Sequence, residues 1–249
     1  MGVVPQRDRR SRPIVDYTYS AVNTDTISSA HQEAMQFGHA LDRVLHRIYY
    51  ASRRYGPPFV IKVDLADGFY RVPLLPADMP ALACAFPNRP DEPLLVAIPL
   101  LLPMGWVASP PLFCSLTETI TDIANDRFKN DPAKLPLHQL TQMADRPDNE
   151  TPVLSPTPAH PSSLPPTVPV PHHRYPLTGT QHYKPLQYVD VYMDNFIAVA
   201  QGHPNLLKRV RTILFETIDQ VLRPLHPSDA PIHRKEPISI KKLNKGDAR

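Results

Sequence analysis

The chain has few cysteines, little glycine and no long apolar run. Its two cysteines, Cys84 and Cys114, are too few for a disulfide framework, and no zinc-binding spacing surrounds them. No stretch is long and apolar enough to span a bilayer, and the N terminus lacks a signal-peptide pattern. Gln6 occupies the position where a myristoylation motif needs Ser or Thr. These absences predict an intracellular protein, in the cytoplasm or the nucleus, without membrane association.

Proline is the residue in excess. The 249-residue chain contains 32 Pro against 8 Gly, whereas average usage would give roughly a third to a half of that number of prolines. Much of the excess lies in residues 147–178, together with Ser, Thr and His. Because proline removes the donors that helices and sheets need, we expect a disordered insertion there, within one domain. A ligand for proline-binding modules is the alternative interpretation.

Positive charge gathers at both ends of the chain, although the formal net charge is only +3. We expect two loose basic ends, residues 1–11 and residues 226–249. Such ends suit a polyanionic partner, and solvated termini remain the other interpretation. The clustered cations are Arg7, Arg9, Arg10 and Arg12 at the start, and Lys235, Lys241, Lys242, Lys245 and Arg249 at the end.

Hydrophobic periodicity predicts the ordered elements of the chain. Ser109 is expected to be the N-cap of a helix with Pro110 in its first turn. The expected helices span residues 29–50, 109–125 and 204–222, and the expected strands or hairpins span residues 59–64, 81–102, 188–199 and 237–241.

The segment Tyr192-Met193-Asp194-Asn195 joins two β-rich stretches, and Asp194-Asn195 is predicted to form the turn of a hairpin. Asp64 ends another short apolar run. Two carboxylates that face each other from such positions would bind a metal ion. Taken singly, each has a structural alternative, because Asp64 can cap the next turn and Asp194-Asn195 can be a plain hairpin turn.

Four segments, taken in order, resemble the palm of a reverse transcriptase from gypsy-like LTR retrotransposons. The resemblance covers about residues 12–222 without the insertion, and it implies an α+β fold in which an antiparallel sheet is backed by helices. Partial fingers and palm would occupy residues 12–146, and the palm would continue over residues 179–225. The four segments are residues 12–17 with Asn23, residues 63–70, residues 102–106 with Ser109, Pro110 and Phe113, and residues 192–195.

The resemblance implies RNA-directed DNA polymerase activity, which is template-directed nucleotidyl transfer by a two-metal mechanism. Asp64 and Asp194 would bind two Mg²⁺ ions, with Mn²⁺ as a substitute, and Asn195 would complete the catalytic set. Two such ions lie about 4 Å apart and stabilise the attacking and leaving oxygens. The implied partners are an RNA or DNA template with its primer, and deoxynucleoside triphosphates.

The resemblance also implies a set of side chains that contact the nucleotide and the primer. Arg12 would hold the incoming triphosphate. Phe69 would lie under the sugar, where an aromatic ring excludes a 2′-hydroxyl. Met104 and Gly105 would lie against the nucleotide. On the primer side, the implied contacts are Tyr192 and Met193.

The sequence departs from the family pattern in its charge at the fourth segment. Active members have two aspartates there, and this chain has Asn195 in the second position. The amide keeps an oxygen ligand but loses a full charge, so we expect weaker metal binding. Asp190 lies four residues before Asp194, more than about 10 Å away along a strand, and cannot simply replace it. Met104 replaces a glutamine that contacts the nucleotide in the family, and it cannot donate those hydrogen bonds.

Truncation is the other expected departure. We expect the chain to lack the usual triphosphate-binding lysine of the fingers, a full thumb, and any RNase H or integrase region. A short chain offers fewer phosphate contacts to a duplex and holds it poorly. Two hypotheses follow. The first is a polymerase domain impaired by Asn195 and truncation, and the second is a catalytically inactive retrotransposon-derived protein that at most binds nucleic acid.

Overall fold

The computed structural model describes residues 2–6, 9–26, 35–87, 91–144, 184–222 and 237–239. Within these residues the chain has a mixed α+β fold with antiparallel sheets. The predicted insertion, residues 147–178, lies outside the described residues. The strands span Gly2–Gln6 (β1), Arg9–Ile14 (β2), Pro58–Asp64 (β3), Cys84–Ala85 (β4), Val96–Ala97 (β5), Gln187–Tyr192 (β6) and Asn195–Gln201 (β7), and the helices span Val22–Asp25 (α1), Ala40–Tyr49 (α2), Ser109–Asn130 (α3), Gln139–Ala144 (α4) and Pro204–Leu222 (α5).

A three-stranded antiparallel sheet with the order β3-β7-β6 lies at the centre of the core. Apolar side chains alternate along its strands, as expected for a sheet with one fully buried face. Helices α3 and α5 pack against each other and contact β6 and β7 respectively. The buried face carries Ile61, Val63, Val189, Val191, Phe196 and Ala198.

The opposite face of the same sheet is partly covered by α2. The Arg43 side chain of this helix binds Asp190 of β6, and the Arg47 guanidinium lies 5.0 Å from the ring centroid of Tyr188. Asp190 and Tyr188 alternate along β6 with the buried valines, so they point away from α3 and α5. The sheet therefore separates an apolar layer from a more polar one.

The two outer strands of this sheet each gain polar partners from elsewhere in the chain. On β6, the Asn125 side chain of α3 donates to the carbonyl of Val189 at 2.8 Å and accepts its N–H at 3.0 Å. At the end of β3, the Ser239 N–H donates to the Asp64 backbone carbonyl and the Ala66 N–H donates to the Pro237 carbonyl, both at 2.8 Å. The strand predicted at residues 237–241 is therefore seen as one bridge over the described residues 237–239.

A buried cation fixes the end of α3. Arg209 of α5 is 8% exposed, and burial lowers the pKa of its guanidinium. Its donors bond carbonyls in the last turn of α3 and in the two residues that follow the helix, where backbone acceptors outnumber donors. The acceptors are the carbonyls of Arg127, Phe128, Asp131 and Pro132 and the side-chain oxygen of Gln187.

The prediction of a loose N terminus over residues 1–11 was wrong. Residues 2–6 and 9–14 pair as an antiparallel hairpin, with an irregularity between Val4 and Gln6. Pro5 lies at that irregularity, which suits a residue that has no N–H to donate. The basic charge of this segment obscured the strand preference of Val3 and Val4.

The predicted helices are confirmed with altered limits. Helix α3 runs five residues beyond the expected end, to Asn130. Ser109 is not its N-cap, because Ala108 has that position and the Ser109 hydroxyl donates to the Pro103 carbonyl at 2.7 Å. The helix expected over residues 29–50 is seen from a 3-10 turn at Gln36–His39 through α2, and residues 29–34 lie outside the described residues. Two short helices, α1 and α4, were not predicted.

The strand predictions agree more closely. Strand β3 and the β6–β7 hairpin match their expected ranges to within about a residue or two, whereas β4 and β5 pair over only two residues each.

Among the helices that the structure describes, none combines the length and the apolar character needed to cross a bilayer.

Candidate catalytic site

Three predicted site residues form one row across the end of the central sheet. Asp64, the last residue of β3, lies opposite Asn195, the first residue of β7. Asn195 in turn lies opposite Tyr192, the last residue of β6. Directly opposed residues of antiparallel strands have Cβ atoms about 4.5–5.5 Å apart. The row is on the face that α2 partly covers, because its members alternate with the buried Val63 and Phe196.

The hairpin turn consists of Met193 and Asp194, one residue earlier than predicted. Asn195 belongs to the ladder, since it pairs with a strand on each side, so it is not a turn residue. Met193 adopts a φ of 59°, in the left-handed region that a non-glycine residue seldom occupies. The sequence Asp-Asn suggested the turn because both residues tolerate that region, but the register of the strands placed it at Met193.

Asp194 is joined to β3 and to Asn195 by hydrogen bonds. The Leu65 N–H donates to the Asp194 carbonyl at 2.9 Å, and the Asn195 side-chain amide donates to Asp194 Oδ1 at 2.8 Å. Asp64 is 6% exposed, whereas Asp194 is partly exposed. The structure therefore brings the two predicted metal-binding aspartates to the same corner of the sheet.

The thiol of Cys114 lies beneath this corner. Its Sγ atom is 3.4 Å from the Met193 sulfur, on the buried side of α3. Burial, together with the charge of Glu118, raises the pKa of the Cys114 thiol to about 11. A thiol with so high a pKa stays protonated near neutrality and is a poor nucleophile. Cys114 therefore packs under the turn as a buried thiol.

A 3-10 turn at Gly68–Arg71 connects the aspartate corner to a neighbouring cavity. An added Cβ at Gly68 would lie 3.8 Å from the Asp194 Cβ and 3.7 Å from the ring of Phe113. Phe69 packs edge-on against Phe113, with ring centroids 5.0 Å apart. Phe113 of α3 thus fixes the direction of the Phe69 ring, one residue after the Gly68 backbone that approaches Asp194.

The loop before α3 requires glycine at position 105 for two reasons. Gly105 has a φ of 102°, and an added Cβ would lie 2.1 Å from the Val15 carbonyl oxygen. Asn23 holds the loop from both sides, donating to the Gly105 carbonyl at 3.1 Å and accepting the Val107 N–H at 2.9 Å. The Trp106 indole donates to the Thr26 hydroxyl at 3.0 Å. The first and third segments of the resemblance are therefore in direct contact.

An open cavity of about 620 Å³ lies between these elements. Three residues predicted to contact the nucleotide, Phe69, Met104 and Gly105, line it together with Asn23 and Trp106. The fourth, Arg12, lies on β2 with its backbone opposite Val4, and its side chain is outside the described part of the structure.

A charged cluster on the same hairpin was not predicted from the sequence. Arg43 Nε and Nη2 each donate to a carboxylate oxygen of Asp190 at 2.6 Å, and the Tyr188 hydroxyl donates to Asp190 at 2.6 Å. The hydrogen bonds with Asp190 raise the pKa of Arg43. Burial, followed by the Asp190 interaction, raises the pKa of Tyr188. The available signal was Asp190 itself, since a carboxylate inside an apolar strand needs a cationic partner.

The donor atoms at the corner suit a hard divalent cation. Asp64 and Asp194 supply carboxylate oxygens and Asn195 supplies an amide oxygen, which are the ligand types that Mg²⁺ takes. Within the described ranges, no three His, Cys, Asp or Glu side chains cluster as a metal site. The side-chain set is therefore limited to two carboxylates and one amide, with one Asp194 oxygen already bonded to the Asn195 nitrogen.

Comparison with known protein families and with curated proteins finds no match for this chain. The resemblance to reverse transcriptases therefore rests on this chain's own segments and on how the fold arranges them. That arrangement is specific in one respect. Segments separated by more than a hundred residues, at Asp64 and at Asn195, are adjacent strand partners.

Proposed function

We propose that this chain is a reverse transcriptase-like domain whose activity is template-directed nucleotidyl transfer. The observation that supports this proposal is that the second and fourth segments meet at one corner of the sheet, while the first and third meet at the adjoining cavity. Asp64 pairs with Asn195 beside Asp194, while Phe69 and Gly105 line the adjoining cavity. In this proposal the sheet β3-β7-β6 with α3 and α5 is the palm, and the β1–β2 hairpin belongs to partial fingers.

Each residue has a defined task in the proposed reaction. Asp64 and Asp194 would hold the divalent cations, which when bound supply charge stabilisation for the attacking and leaving oxygens. The cavity proposed to hold the nucleotide is lined by Phe69, Met104 and Gly105. Tyr192 is half-exposed in the same row as Asp64, where its ring can support a primer terminus.

Asn195 favours a second candidate, a catalytically inactive protein that binds nucleic acid. In place of a third carboxylate directly opposite Asp64, the chain has a neutral amide whose nitrogen is bonded to Asp194. Fewer negative charges at the corner weaken the attraction for divalent cations. The two candidates share one fold and differ in whether the corner binds metal tightly enough to react.

Primer extension on an RNA template, with Mg²⁺ or Mn²⁺, tests the proposal. We expect Asn195→Asp to extend the primer at least about tenfold faster than the natural chain, because groups that support metal ligands commonly change metal affinity or activity by about 10–100-fold. Asp64→Ala should abolish extension in both backgrounds. The matched control is Asp122→Ala, which removes an exposed carboxylate from the surface of α3.

Two results would decide against the polymerase. Extension that survives Asp64→Ala would show that the corner is not the catalytic site. No extension from the natural chain or from Asn195→Asp, with the fold intact by circular dichroism, would favour the inactive nucleic-acid-binding protein.

A further inference from the structure

A basic segment without any acidic residue runs along the other end of the central sheet. Residues 43–63 contain five Lys or Arg and no Asp or Glu, although the whole chain has 24 acidic residues against 27 basic ones. One of the five, Arg43, is paired with Asp190 of β6, which leaves four. The segment comprises most of α2, a 3-10 turn at Arg53–Tyr55 and nearly all of β3. A local excess of one sign over this length attracts a polyanion.

Exposed aromatic rings lie at the end of α2 within this segment. Tyr49 is 81% exposed and Tyr50 is 48% exposed. The Tyr49 and Tyr50 rings pack edge-on with centroids 5.0 Å apart, and the His46 ring lies 4.6 Å from Tyr50. Tyrosine is enriched at interfaces because its ring is apolar and its hydroxyl is polar, so a cluster of exposed rings favours a binding surface.

Two exposed arginines follow the rings within one turn of chain. Arg53 and Arg54 are both on the surface. Among the residues that the structure describes, no carboxylate pairs with either of them. Their positive charge is thus exposed to solvent, a few residues after Tyr49 and Tyr50 along the chain.

Hydrogen bonds from the central sheet hold the loop that carries these arginines. Gln201 of β7 is 2% exposed, and its side-chain amide donates to the Ser52 carbonyl at 2.7 Å and to the Gly56 carbonyl at 2.5 Å. The Ser52 hydroxyl accepts the Arg54 N–H at 3.4 Å. A preorganised loop loses less conformational freedom on binding than a mobile one.

This surface is separate from the candidate catalytic site. It lies where β3 begins, and Asp64 ends the same strand six residues later, which corresponds to about 20 Å. Lys62 is exposed and shares a sheet face with Asp64, because the two are two residues apart on one strand.

We propose that this basic aromatic surface, formed by His46, Tyr49, Tyr50, Arg53 and Arg54, binds single-stranded nucleic acid. Exposed rings stack on unpaired bases while guanidinium groups contact the phosphates. An acidic peptide would neutralise the arginines but would leave the rings without stacking partners. A duplex would hide the faces of its bases. The proposal depends only on these charges and rings, so it does not rest on catalysis at Asp64.

Fluorescence anisotropy with a labelled single-stranded RNA or DNA of about 12 nucleotides, in EDTA and without nucleotides, tests this surface in the full chain. Tyr49→Ala combined with Tyr50→Ala should weaken binding about tenfold or more, the effect of losing stacking on one base or two. Tyr49→Phe, which keeps the ring, should bind like the natural chain.

Charge is tested by a matched pair of double variants. Arg53→Gln with Arg54→Gln should weaken binding and lower the slope of log affinity against log salt by about 1.4, the value for two phosphate contacts on a single strand. Lys129→Gln with Lys134→Gln removes the same charge from exposed positions elsewhere and should change affinity less than about twofold, since it removes no specific contact.

Three results would overturn the proposal. Equal weakening by the two charge variants would show non-specific attraction. An unchanged affinity after removal of both tyrosine rings would exclude base stacking. Competition by polyglutamate as effective as that by the single strand would assign the surface to acidic partners. Because binding is measured in EDTA, a chain that fails to extend primers can still confirm this surface.

Discussion

Asp190 and Asp194 lie four residues apart on the same hairpin, yet their surroundings are opposite. Asp190 is 3% exposed in the middle of β6, where a guanidinium and a phenol enclose its carboxylate. Asp194 is partly exposed at the turn, where it receives a hydrogen bond from the neutral amide of Asn195.

The difference shows how position on a strand decides the use of a carboxylate. The charge of Asp190 is compensated by Arg43, so this aspartate joins α2 to the sheet. The amide bonded to Asp194 leaves its negative charge in place beside Asp64, and that charge can attract an added cation. The first aspartate stabilises the structure, and the second belongs to the corner where we propose chemistry.

The largest expected effect comes from removing each of the two carboxylates in turn. Asp190→Ala removes the buried carboxylate that pairs with the partly exposed Arg43 and should lower the free energy of unfolding by about 3 kcal/mol, the lower end for a buried pair, because solvent screens the guanidinium. Asp194→Ala removes a partly exposed turn carboxylate and should cost less than about 1 kcal/mol. Urea denaturation measures both. Replacing the pair together, as Arg43→Met with Asp190→Leu, should recover most of the loss, and equal losses from the two single variants would contradict the distinction.

A smaller change tests the phenol alone. Tyr188→Phe removes the hydroxyl that donates to Asp190 at 2.6 Å and keeps the ring beside Arg47. We expect a loss of about 1.5 kcal/mol in the free energy of unfolding, the usual contribution of a hydrogen bond to a charged group. In an Asp190→Ala background the same change should cost almost nothing, and an undiminished cost there would show that the hydroxyl acts through another partner.

The smallest effect concerns the thiol beneath the Asp194 turn. The pKa of Cys114 is raised from 9.0 to about 11, so the unfolded chain releases this proton before the folded chain does. The contribution of Cys114 to the free energy of unfolding is therefore complete below about pH 9 and should fall by about 1 kcal/mol between pH 9 and pH 10. Unfolding measured across this range should show a shallower decline in Cys114→Ala. An identical decline in both proteins would place the pH dependence elsewhere.

The elements with strong apolar periodicity were predictable from the sequence. Strand β3, helix α5 and the β6–β7 hairpin have repeating buried positions and clear chain breakers at their ends. The limits of α3 were not predictable. Its last turn is held by Arg209, which lies about 80 residues away in sequence, and no local pattern indicates such a partner.

At the candidate site too, some residues were predictable from the sequence and others were not. The resemblance predicted that Asp64 and Asp194 would meet, and that Phe69 and Gly105 would share one space. The residues that position them were missed. Arg43 binds Asp190 from 147 positions away, and the turn lies one residue earlier than Asp194-Asn195 because pairing with two strands draws Asn195 into the ladder. Such contacts depend on tertiary register, which local sequence does not encode.

The Asn125 side chain bears on how this protein behaves at high concentration. An outer strand with free N–H and C=O groups is a template to which a second copy can add its own strand, and aggregation begins there. Asn125 occupies both backbone groups of Val189, and residues 237–239 cover the end of β3 in a similar way. A single amide and a three-residue stretch thus take the positions that a strand from another molecule would use, and they oppose self-association at both sides of the sheet.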